Sequence, residues 1–504
     1  MPSTQPVWQD VPDELASWTG IPASCDVCVV GAGIAGLSVA YALACAGRKV
    51  VVLEARSIGA GMTGHTTAHL SDVIDDRYTH VISVRGVETA RIGAEAHRAA
   101  IDVIEQTVRR EQIDCGFTRL DGYLVAASEE DNDTLGEEFV SARKLGIDCE
   151  RLTAVPGGFR GGRCLRFPRQ ARFEPMAYLT GLAGAIARLG GTIVTGARAG
   201  SIEDGTPCKV AVVGQELTAA AVVVCTNSPV NDRVAIHTKQ FPYMTYVVGL
   251  GVKPGLAPDA LIWDTLDPYH YVRLAGKPAA DGTDTLIVGG EDHKTGQASD
   301  GEERFGRLEV WARERVAGLG PVTHKWAGQV LETVDGLAYI GRNPGDENVY
   351  VVTGDSGMGM THGTAAGILV PALIASGDHP WRDAFCPRRK PVGGAADFVT
   401  ENLNVAAEYV VGYLGGGEVG SIAEIRPGCG AVARFGLHKV AVYREANGDF
   451  HGCSAVCPHL GAVVSWNDAT KTWDCPAHGS RFDKHGRVIQ GPANADLEWA
   501  EVKK

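Results

Sequence analysis

The spacing of apolar and polar positions changes from one region of the chain to the next. Over residues 26–53 a short apolar run, a glycine-rich turn, a helix-like stretch and a second apolar run follow one another, as they do in a βαβ unit. This order predicts the entry to a doubly wound parallel sheet. Strand-like runs recur over residues 244–252, 269–274 and 285–290, and they predict an antiparallel sheet inserted into that fold.

The C-terminal region has a different pattern. Pro, Gly, Arg and Lys become frequent after Trp381, which is typical of a linker, and one helix is predicted within it because apolar residues recur on one helical face. Short strands and turns follow. The predicted fold class is therefore α/β (α+β), with a large part over residues 1–385, a linker with a helix over 386–417 and a small all-β domain over 418–504.

Length and charge narrow the classes of function. At 504 residues, with 45% apolar residues, the chain is long enough for two or three domains. A net charge of -13 without a basic block argues against nucleic acid and an anionic membrane surface as partners. No secretory signal and no stretch of about 20 apolar residues is visible, so we expect a cytoplasmic protein without membrane insertion. The 13 cysteines fit reduced thiols and leave room for a metal site.

The βαβ unit carries a glycine fingerprint in the sequence DVCVVGAGIAGLSVAYALACAGRKVVVLEAR. Gly31 permits the tight turn, Gly33 lets the backbone approach a pyrophosphate, and Gly36 allows close helix packing. Glu54 ends the second strand, where it can accept from a ribose hydroxyl, and Ala55 and Arg56 follow it. This context favours a bound dinucleotide over a glycine-rich turn without a ligand. The motif alone does not separate FAD from NAD.

Three blocks together resemble the D-amino-acid-oxidase family of FAD-dependent oxidoreductases, which includes glycine oxidase, sarcosine oxidase and dimethylglycine dehydrogenase. They are the fingerprint, GAGMTGHTTAHL over residues 59–70, and DGLAYIGR from Asp335 together with VYVVTGDSGMGMTHGTAAG over 349–367. The resemblance covers roughly residues 1–385 and implies bound FAD. It divides this part into FAD-binding segments at about 25–75, 150–235 and 330–385 and substrate segments at about 76–149 and 236–329.

The same resemblance implies which residues contact the flavin. These are Thr63, His65 and Thr66 in one loop and Gly357, Met358, Gly359, Met360 and Thr361 in a turn that opens a helix. Such a turn directs N–H groups at the flavin, where reduction places negative charge. His65 matches the place where dimethylglycine-type dehydrogenases bond a histidine to the flavin. Covalent attachment and an ordinary hydrogen-bonding histidine both remain open.

The strongest local signal is the pair of sequences CPHLG, over residues 457–461, and CPAHGSRFD, over 475–483. Their potential metal ligands are Cys457, His459, Cys475 and His478. Two thiolates and two imidazoles from two loops suit a 2Fe-2S cluster with histidines on one iron, although a structural zinc site uses the same ligands. The flanking Pro and Gly residues resemble a Rieske domain, and this resemblance extends from about Glu418 to the end.

The Rieske resemblance has two departures. Ala462 and Ala477 stand where high-potential Rieske domains have a disulfide, and Phe482 stands where a tyrosine donor is expected. Ser480 is retained and can donate to a sulfur atom. Because fewer donors reach the sulfur atoms, we expect a potential in the lower part of the Rieske range of about -150 to +300 mV.

The two cofactors together predict a dehydrogenase. A flavin accepts two electrons at once and the cluster carries one, so reduced flavin is expected to pass electrons through the cluster to an external one-electron acceptor. The family implies oxidation of an amine at a CH–NH group. The arginine that clamps a carboxylate in glycine-oxidase-like enzymes is missing between Trp326 and Gly336. The expected substrate is therefore a secondary amine, an N-methyl amino acid or a polyamine derivative.

Candidate substrate residues come from the inserted sheet. Strand alternation would place Tyr269, Tyr271 and Arg273 on one side, with Arg273 meeting an acid group or lying on a half-buried surface, and Gln329 offers another polar contact. Two other functions stay open: an NAD(P)H-dependent ferredoxin-reductase-like flavoprotein, and a D-amino-acid or glycine oxidase that uses oxygen. The sequence is compatible with a homo-oligomer and does not identify the acceptor.

Overall fold

The structure is a computed structural model that describes residues 2–8, 20–231, 236–390, 393–415, 417–436 and 438–502. The helices of these residues, in chain order, are Ile34–Cys45 (α1), Arg77–Glu111 (α2), Asn132–Lys144 (α3), Pro175–Arg188 (α4), Gly301–Arg315 (α5), Gly359–Ser376 (α6), Arg382–Phe385 (α7) and Ala395–Leu414 (α8).

The strands form four sheets within the described residues. In chain order they are Ser24–Val30 (β1), Val50–Leu53 (β2), His69–Leu70 (β3), Thr118–Val125 (β4), Glu150–Leu152 (β5), Cys164–Arg172 (β6), Thr192–Val194 (β7), Ala199–Glu203 (β8), Cys208–Val212 (β9), Gln215–Val224 (β10), Gln240–Val252 (β11), Leu261–Asp264 (β12), His270–Leu274 (β13), Asp284–Lys294 (β14), Val322–Thr333 (β15), Tyr339–Arg342 (β16), Val349–Thr353 (β17), Gly430–Phe435 (β18), His438–Arg444 (β19), Phe450–Ser454 (β20), Ser465–Asn467 (β21), Thr472–Asp474 (β22), Arg481–Asp483 (β23) and Val488–Gln490 (β24).

The first sheet is the predicted doubly wound sheet. Its strand order is β16-β17-β10-β1-β2-β7, and the pairs from β17 to β7 are parallel. The buried residues of β1 and β2 alternate between two cores: Val27, Val29, Val50 and Val52 pack on the side of the helices, whereas Cys28, Val30, Val51 and Leu53 pack against residues of neighbouring strands such as β9 and β10. Helices α1 and α6 pack closely through glycine: a Cβ at Gly367 would lie 2.8 Å from the carbonyl oxygen of Ser38. This packing directs the N-termini of both helices toward one edge of the sheet.

The second sheet contains the predicted antiparallel insertion. Its order is β15-β11-β14-β13-β12-β4-β6-β3, with β5 beside β6, and only the β12–β4 pair is parallel among the described pairs. The sheet topology differs from the predicted division in at least two places. Strands β5 and β6, within the expected FAD-binding segment 150–235, belong to this sheet because β6 pairs along its length with β4. Strand β3, within the expected FAD-binding segment 25–75, also belongs to it through its pairing with β6.

The C-terminal region is a small β domain. Its sheets have the orders β18-β19-β20 and β21-β22-β23-β24, and its core includes the fully buried Trp473 and Phe482. The predicted linker helix is α8, and Tyr409 and Tyr413 on it donate hydrogen bonds to the carbonyl oxygens of Leu460 and Gly461. The described fold therefore agrees with the predicted class, an α/β (α+β) body with an all-β C-terminal domain.

Helix α6 is the one helix among the described residues with the length and hydropathy of a membrane span. Most of it is buried inside the fold, where it packs against α1 and α2. A core helix passes the same test of length and composition.

A buried ion pair ties the segment after α7 to the rest of the fold. Arg389 donates to both carboxylate oxygens of Asp335 at 2.7 and 2.8 Å and to the carbonyl oxygen of Ala338 at 2.8 Å, and Arg85 also contacts Asp335. Burial alone would raise the pKa of Asp335, but the charge of Arg389 and the hydrogen bonds from both arginines hold that pKa well below its usual range.

We expect Asp335→Ala to destabilise the protein by about 3–5 kcal/mol, because it leaves the buried guanidinium of Arg389 without its counter-charge. Chemical unfolding followed by circular dichroism would measure the loss. The matched control is Asp383→Ala, which removes an exposed partner of Arg382 and should have a much smaller effect. Equal losses in the two variants would contradict a structural role for the buried pair.

Candidate functional site

A cavity lies where the first sheet meets the second, at the N-termini of α1 and α6. The sequence-predicted residues that line it are Gly31, Gly33, Glu54, Ala55, Arg56, Thr63, His65, Thr66, Tyr269, Tyr271, Gln329, Gly357, Met358, Gly359 and Met360. Gly36, Arg273 and Thr361 are not among its lining residues. Residues separated by hundreds of positions in the chain thus meet around one space.

The glycine fingerprint keeps the start of α1 close to this cavity. Gly31 has a φ of +105°, and a Cβ there would lie 2.4 Å from the carbonyl oxygen of Cys225. A Cβ at Gly36 would lie 1.9 Å from the carbonyl oxygen of Gly31. Gly36 therefore acts through helix packing, as the motif predicts. The N-cap residue Gly33 has no side chain to cap α1, so the first N–H groups of the helix other than that of Ile34 are available to a phosphate.

Glu54 is fixed at the edge of the cavity by two backbone donors. Its carboxylate accepts from the N–H of Ala32 at 2.9 Å and from the N–H of Arg56 at 2.8 Å. The guanidinium of Arg56 donates to the carbonyl oxygen of Ala60 at 2.7 Å. A carboxylate held in this way can accept from the hydroxyls of a ribose.

The loop with Thr63 and His65 closes over the fingerprint. Thr63 Oγ1 accepts from the N–H of Ile34 in the first turn of α1 at 3.1 Å. His65 Nδ1 lies 3.0 Å from the carbonyl oxygen of Gly61, and burial lowers the pKa of His65. The ring is therefore neutral and lines the cavity. Covalent attachment at His65 stays a prediction.

The second glycine turn opens α6 toward the same cavity. The N-cap residue Met358 provides no side-chain cap for the helix. Two carboxylates occupy the space that glycine leaves: a Cβ at Gly357 would lie 2.2 Å from Asp75 Oδ2, and a Cβ at Gly359 would lie 2.5 Å from Asp355 Oδ2. Thr361 is buried behind the turn and donates to the carbonyl oxygen of Met358 at 3.2 Å.

The predicted tyrosines of β13 and its preceding loop face the cavity together. Their ring centroids are 5.3 Å apart. Tyr269 donates to Asp75 Oδ2 at 3.0 Å, and the Tyr271 hydroxyl lies 2.8 Å from Thr245 Oγ1. Aromatic rings, hydroxyl groups and a carboxyl group are therefore close together in this part of the cavity, which we call the substrate end.

The structure places Arg273 away from the cavity. Its guanidinium donates to the carbonyl oxygens of Thr67 at 2.5 Å and Phe173 at 3.1 Å and lies over the ring of Trp8. Tyr271 lines the cavity, as the alternation of side chains along the strand predicts. Arg273, two residues further along β13, does not line it. The expected contact between Arg273 and a substrate acid group is therefore not supported.

Gln329 lies between the second sheet and the C-terminal domain. Its amide nitrogen donates to Thr295 Oγ1 at 3.1 Å and to the carbonyl oxygen of Gly479 at 2.9 Å, while its amide oxygen accepts from Gln490. The side chain is buried. Its polar groups therefore connect the cavity with a loop of the small domain.

Sequence reasoning missed three carboxyl groups that line the cavity. Burial raises the pKa of Asp75 to about 8, with the charge of Asp76 as the next cause. Burial also raises the pKa of Asp292 to about 7 and that of Asp355 to about 6. Asp355 lies within the sequence VTGDSGMGM that carries the family resemblance, so its position near the flavin turn could have been predicted. Asp75 and Asp292 belong to no motif.

The four predicted metal ligands lie together in the small domain. Cys457 and Cys475 are buried, and their thiols are within hydrogen-bonding reach of each other. The rings of His459 and His478 have centroids 5.1 Å apart. Ser480 also reaches the thiol of Cys457, as expected of a donor to sulfur.

A zinc site does not fit this arrangement. Tetrahedral zinc with bonds of about 2.0–2.3 Å brings all ligand atoms within about 4 Å of one another. In the part of the chain that the structure describes, the only three His, Cys, Asp or Glu residues with ligand atoms within 4.8 Å are Glu445, His451 and His485. The two thiols are therefore close to each other, but the two imidazoles are not both close to them. A two-iron cluster requires such separate thiolate and imidazole ends.

We call residues 457–461, 475–483 and 489–494 the cluster loops, because the first two hold the predicted ligands and the third donates from the N–H of Ala493 to Ser480 Oγ at 3.0 Å. They adjoin the cavity of the same chain. The loop over residues 489–494 contributes Ile489, Gln490, Gly491, Ala493 and Asn494 to the cavity wall. The ring of His237, in the turn before β11, lies 5.0 Å from that of His459 and 6.0 Å from that of His478. His237 is a further residue that no motif revealed.

Comparison with known proteins agrees with both sites. The family model described as FAD dependent oxidoreductase (DAO) matches residues 26–373, and the Rieske [2Fe-2S] domain model matches residues 417–501. The Bacillus subtilis (strain 168) protein YhfW, whose name describes a Rieske 2Fe-2S iron-sulfur protein, is 31% identical over 483 residues, which cover 95% of this chain and 94% of that one.

Two further similarities concern the larger part. Gamma-glutamylputrescine oxidoreductase of Escherichia coli (strain K12) is 29% identical over 384 residues, covering 72% of this chain and 86% of the relative. The crystal structure of glycine oxidase from Geobacillus kaustophilus has a TM-score of 0.61 at 18% identity and covers 73% of this chain and 100% of its own. The latter similarity shows the fold.

We expect the purified protein to contain two iron atoms and two acid-labile sulfides per chain, because the ligands suit a Rieske cluster. Cys457→Ser should lose this iron. Cys453→Ser, at a buried thiol of the same domain that is not among the ligands, is the matched control and should keep it. Elemental analysis and the EPR spectrum of the reduced protein would measure both. One zinc per chain in place of iron would contradict the assignment.

Proposed function

The chain belongs to the FAD dependent oxidoreductase family and ends in a Rieske [2Fe-2S] domain, and on this basis we propose that it is an amine dehydrogenase with an internal electron-transfer step. It is an FAD-dependent oxidoreductase that acts on CH–NH groups, and its cofactors are FAD and the 2Fe-2S cluster. In the proposed reaction, electrons from the reduced flavin pass to the cluster of the same chain and then to an external one-electron acceptor.

The observation that carries this proposal is the contact between the cluster loops and the cavity. The loop over residues 489–494 forms part of the cavity wall, and the carbonyl oxygen of Gly479, next to the ligand His478, accepts a hydrogen bond from Gln329. A Cβ at Gly479 would lie 2.4 Å from Pro242 on the second sheet. The small domain thus packs directly on the second sheet of the same chain beside the cavity, and this contact supports electron transfer within one chain.

Bound FAD supplies the acceptor for a hydride from the carbon next to a neutral amine nitrogen, and the cluster carries the electrons away singly. The residues must therefore remove a proton from the ammonium form of the substrate. Asp75 lies against the turn at Gly357, where the flavin is expected, and accepts a hydrogen bond from Tyr269. Its raised pKa of about 8 gives it the basicity of a proton acceptor near neutral pH.

The comparisons support an amine as the substrate. The Escherichia coli relative is named for a γ-glutamyl derivative of putrescine, and the match covers the FAD part of this chain. The strand β15 has Val330 at the cavity and no arginine, so the carboxylate clamp of amino-acid oxidases is not found on it. Both observations favour an amine over a simple α-amino acid.

Internal electron transfer predicts a rate that does not depend on protein concentration. After anaerobic mixing with n-butylamine, N-methylbutylamine, sarcosine or 1,4-diaminobutane, bleaching of the flavin should be followed by the EPR signal of the reduced cluster. Transfer between chains would instead speed up as the protein concentration rises. In Cys457→Ser the flavin should bleach and stay reduced, whereas Cys453→Ser should behave as wild type. A cluster that stays oxidised beside reduced flavin would refute the proposal.

The role of Asp75 predicts a pH dependence. Below pH about 8 its carboxyl group is protonated and cannot accept a proton, so the rate of flavin reduction at saturating amine should rise as pH increases through that value. In Asp75→Asn this rise should disappear and the rate at pH 9 should fall by about 10²-fold or more. Stopped-flow absorbance would measure both. Asp281→Asn, at an exposed carboxylate, is the control; an unchanged pH profile in Asp75→Asn would show that another group takes the proton.

A further inference from the structure

The substrate end of the cavity is lined by carboxyl groups. Asp75, Asp292 and Asp355 contribute to its wall, and Glu332 and Asp76 lie behind them. They interact with one another: after burial, the charges of Asp76, Asp75, Asp292 and Asp355 raise the pKa of Glu332. Each of these carboxyl groups therefore disfavours ionisation of its neighbours, and a bound cation would relieve that repulsion.

Two of these carboxyl groups have one oxygen atom without a partner. Oδ1 of Asp292 and Oδ1 of Asp355 are buried and accept no hydrogen bond from the described residues. Among the cations, Arg304 lowers the pKa of Asp292 most, and its guanidinium already donates to Asp300 Oδ1 at 2.7 Å and to the carbonyl oxygen of Glu291 at 2.7 Å. Buried anionic oxygens without a donor are expected where a ligand supplies one.

Cations line only the opposite end. Among the described residues of the cavity wall the arginines are Arg56 and Arg198, and no lysine is present. Arg56 is adjacent to Glu54, and Arg198 donates to the carbonyl oxygen of Val488 at 3.3 Å. Burial lowers the pKa of His69 to about 3, so this histidine adds no positive charge. The described part of the substrate end thus has no cation to hold a carboxylate.

We propose that the substrate is a di- or polyamine, in which the oxidised nitrogen and at least one further, protonated nitrogen are separated by a methylene chain. This inference rests on the proposed amine dehydrogenase activity and names its substrate class. The distal ammonium would donate to Asp292 and lie beside the faces of Tyr269 and Tyr271, where cation–π attraction adds to the charge. Apolar side chains of the same wall, Ile74, Trp263 and Val330, would pack on the methylenes.

The test compares three compounds of equal length: 1,4-diaminobutane, n-butylamine and 4-aminobutanoate. They place an ammonium, a methyl group or a carboxylate at the far end. With the holoprotein under anaerobic conditions, the second-order rate constant of flavin reduction should be at least tenfold higher for the diamine than for n-butylamine, and 4-aminobutanoate should be slowest. The N-methylated diamine and N-methylbutylamine extend the comparison to secondary amines.

Asp292 should account for much of this preference. In Asp292→Asn the ratio of the diamine rate to the monoamine rate should fall severalfold, and Asp292→Glu should restore part of it. Asp281→Asn is the control for a change of net charge far from the cavity and should keep the wild-type ratio. FAD and iron contents are measured for every variant, and the comparison of compounds in the wild-type protein stands without any variant.

The outcomes separate this inference from the function on which it rests. If the monoamines reduce the flavin as fast as the diamines, or 4-aminobutanoate is the best of the three, the substrate class is refuted and amine oxidation stands. If no diamine or monoamine, primary or N-methylated, reduces the flavin, the proposed function fails and this inference fails with it.

Discussion

The contact between the second sheet and the small domain depends on the hydrogen bonds of one buried side-chain amide, that of Gln329. It joins Thr295, in the turn after β14 of the second sheet, to Gly479 and Gln490 in the small domain, and it does so next to the cavity. Buried amides must satisfy their hydrogen-bonding groups, so separating the two domains would leave donors and acceptors without partners. The tight fit of Gly479 against Pro242 adds a steric condition, because any larger residue would force the domains apart.

This fixed contact gives the cavity two ends of opposite character. At the nucleotide end, Glu54, Arg56 and the N–H groups at the start of α1 suit the ribose and phosphates of FAD. At the other end, burial raises the pKa of Asp75 and that of Asp292, so their ionised forms need a nearby cation. The small domain contributes residues 489–494 to the cavity wall. A bound cation would supply the missing counter-charge at the end with Asp75 and Asp292.

The parts of the site that the sequence predicted share one property: their chemistry lies within a few residues. The spacing of Gly31, Gly33 and Gly36, and of Cys457 with His459, follows from local backbone geometry, so it is readable without the fold. The strands of the inserted sheet were also predictable from their apolar runs. The position of β5 and β6 in this sheet was not predictable, because it depends on the pairing of β6 with β4 and not on the local sequence pattern.

The remaining differences between the sequence prediction and the structure concern residues that are far apart in the chain. Alternation along β13 gives the direction of a side chain but not the point where the cavity ends, so Tyr271 reaches the cavity and Arg273 does not. Asp75 and Asp292 lie on separate segments that meet only at the cavity. His237 is likewise far along the chain from His459 and His478, beside which the fold places it. A short stretch of sequence therefore cannot show that these residues are close in space.

The sign of the charge at the substrate end shows how one fold can serve different reactions. The glycine oxidase fold is present here at 18% identity, so the backbone scaffold does not by itself determine the substrate. Selectivity must come from the side chains that the scaffold presents. Here β15 presents Val330 and the turn at Gly357 leaves room for Asp75, a combination that supports the proposed preference for a cationic group over an anionic one. Because a carboxylate held near other carboxylates is costly unless neutralised, a cationic ligand also stabilises the folded protein that binds it.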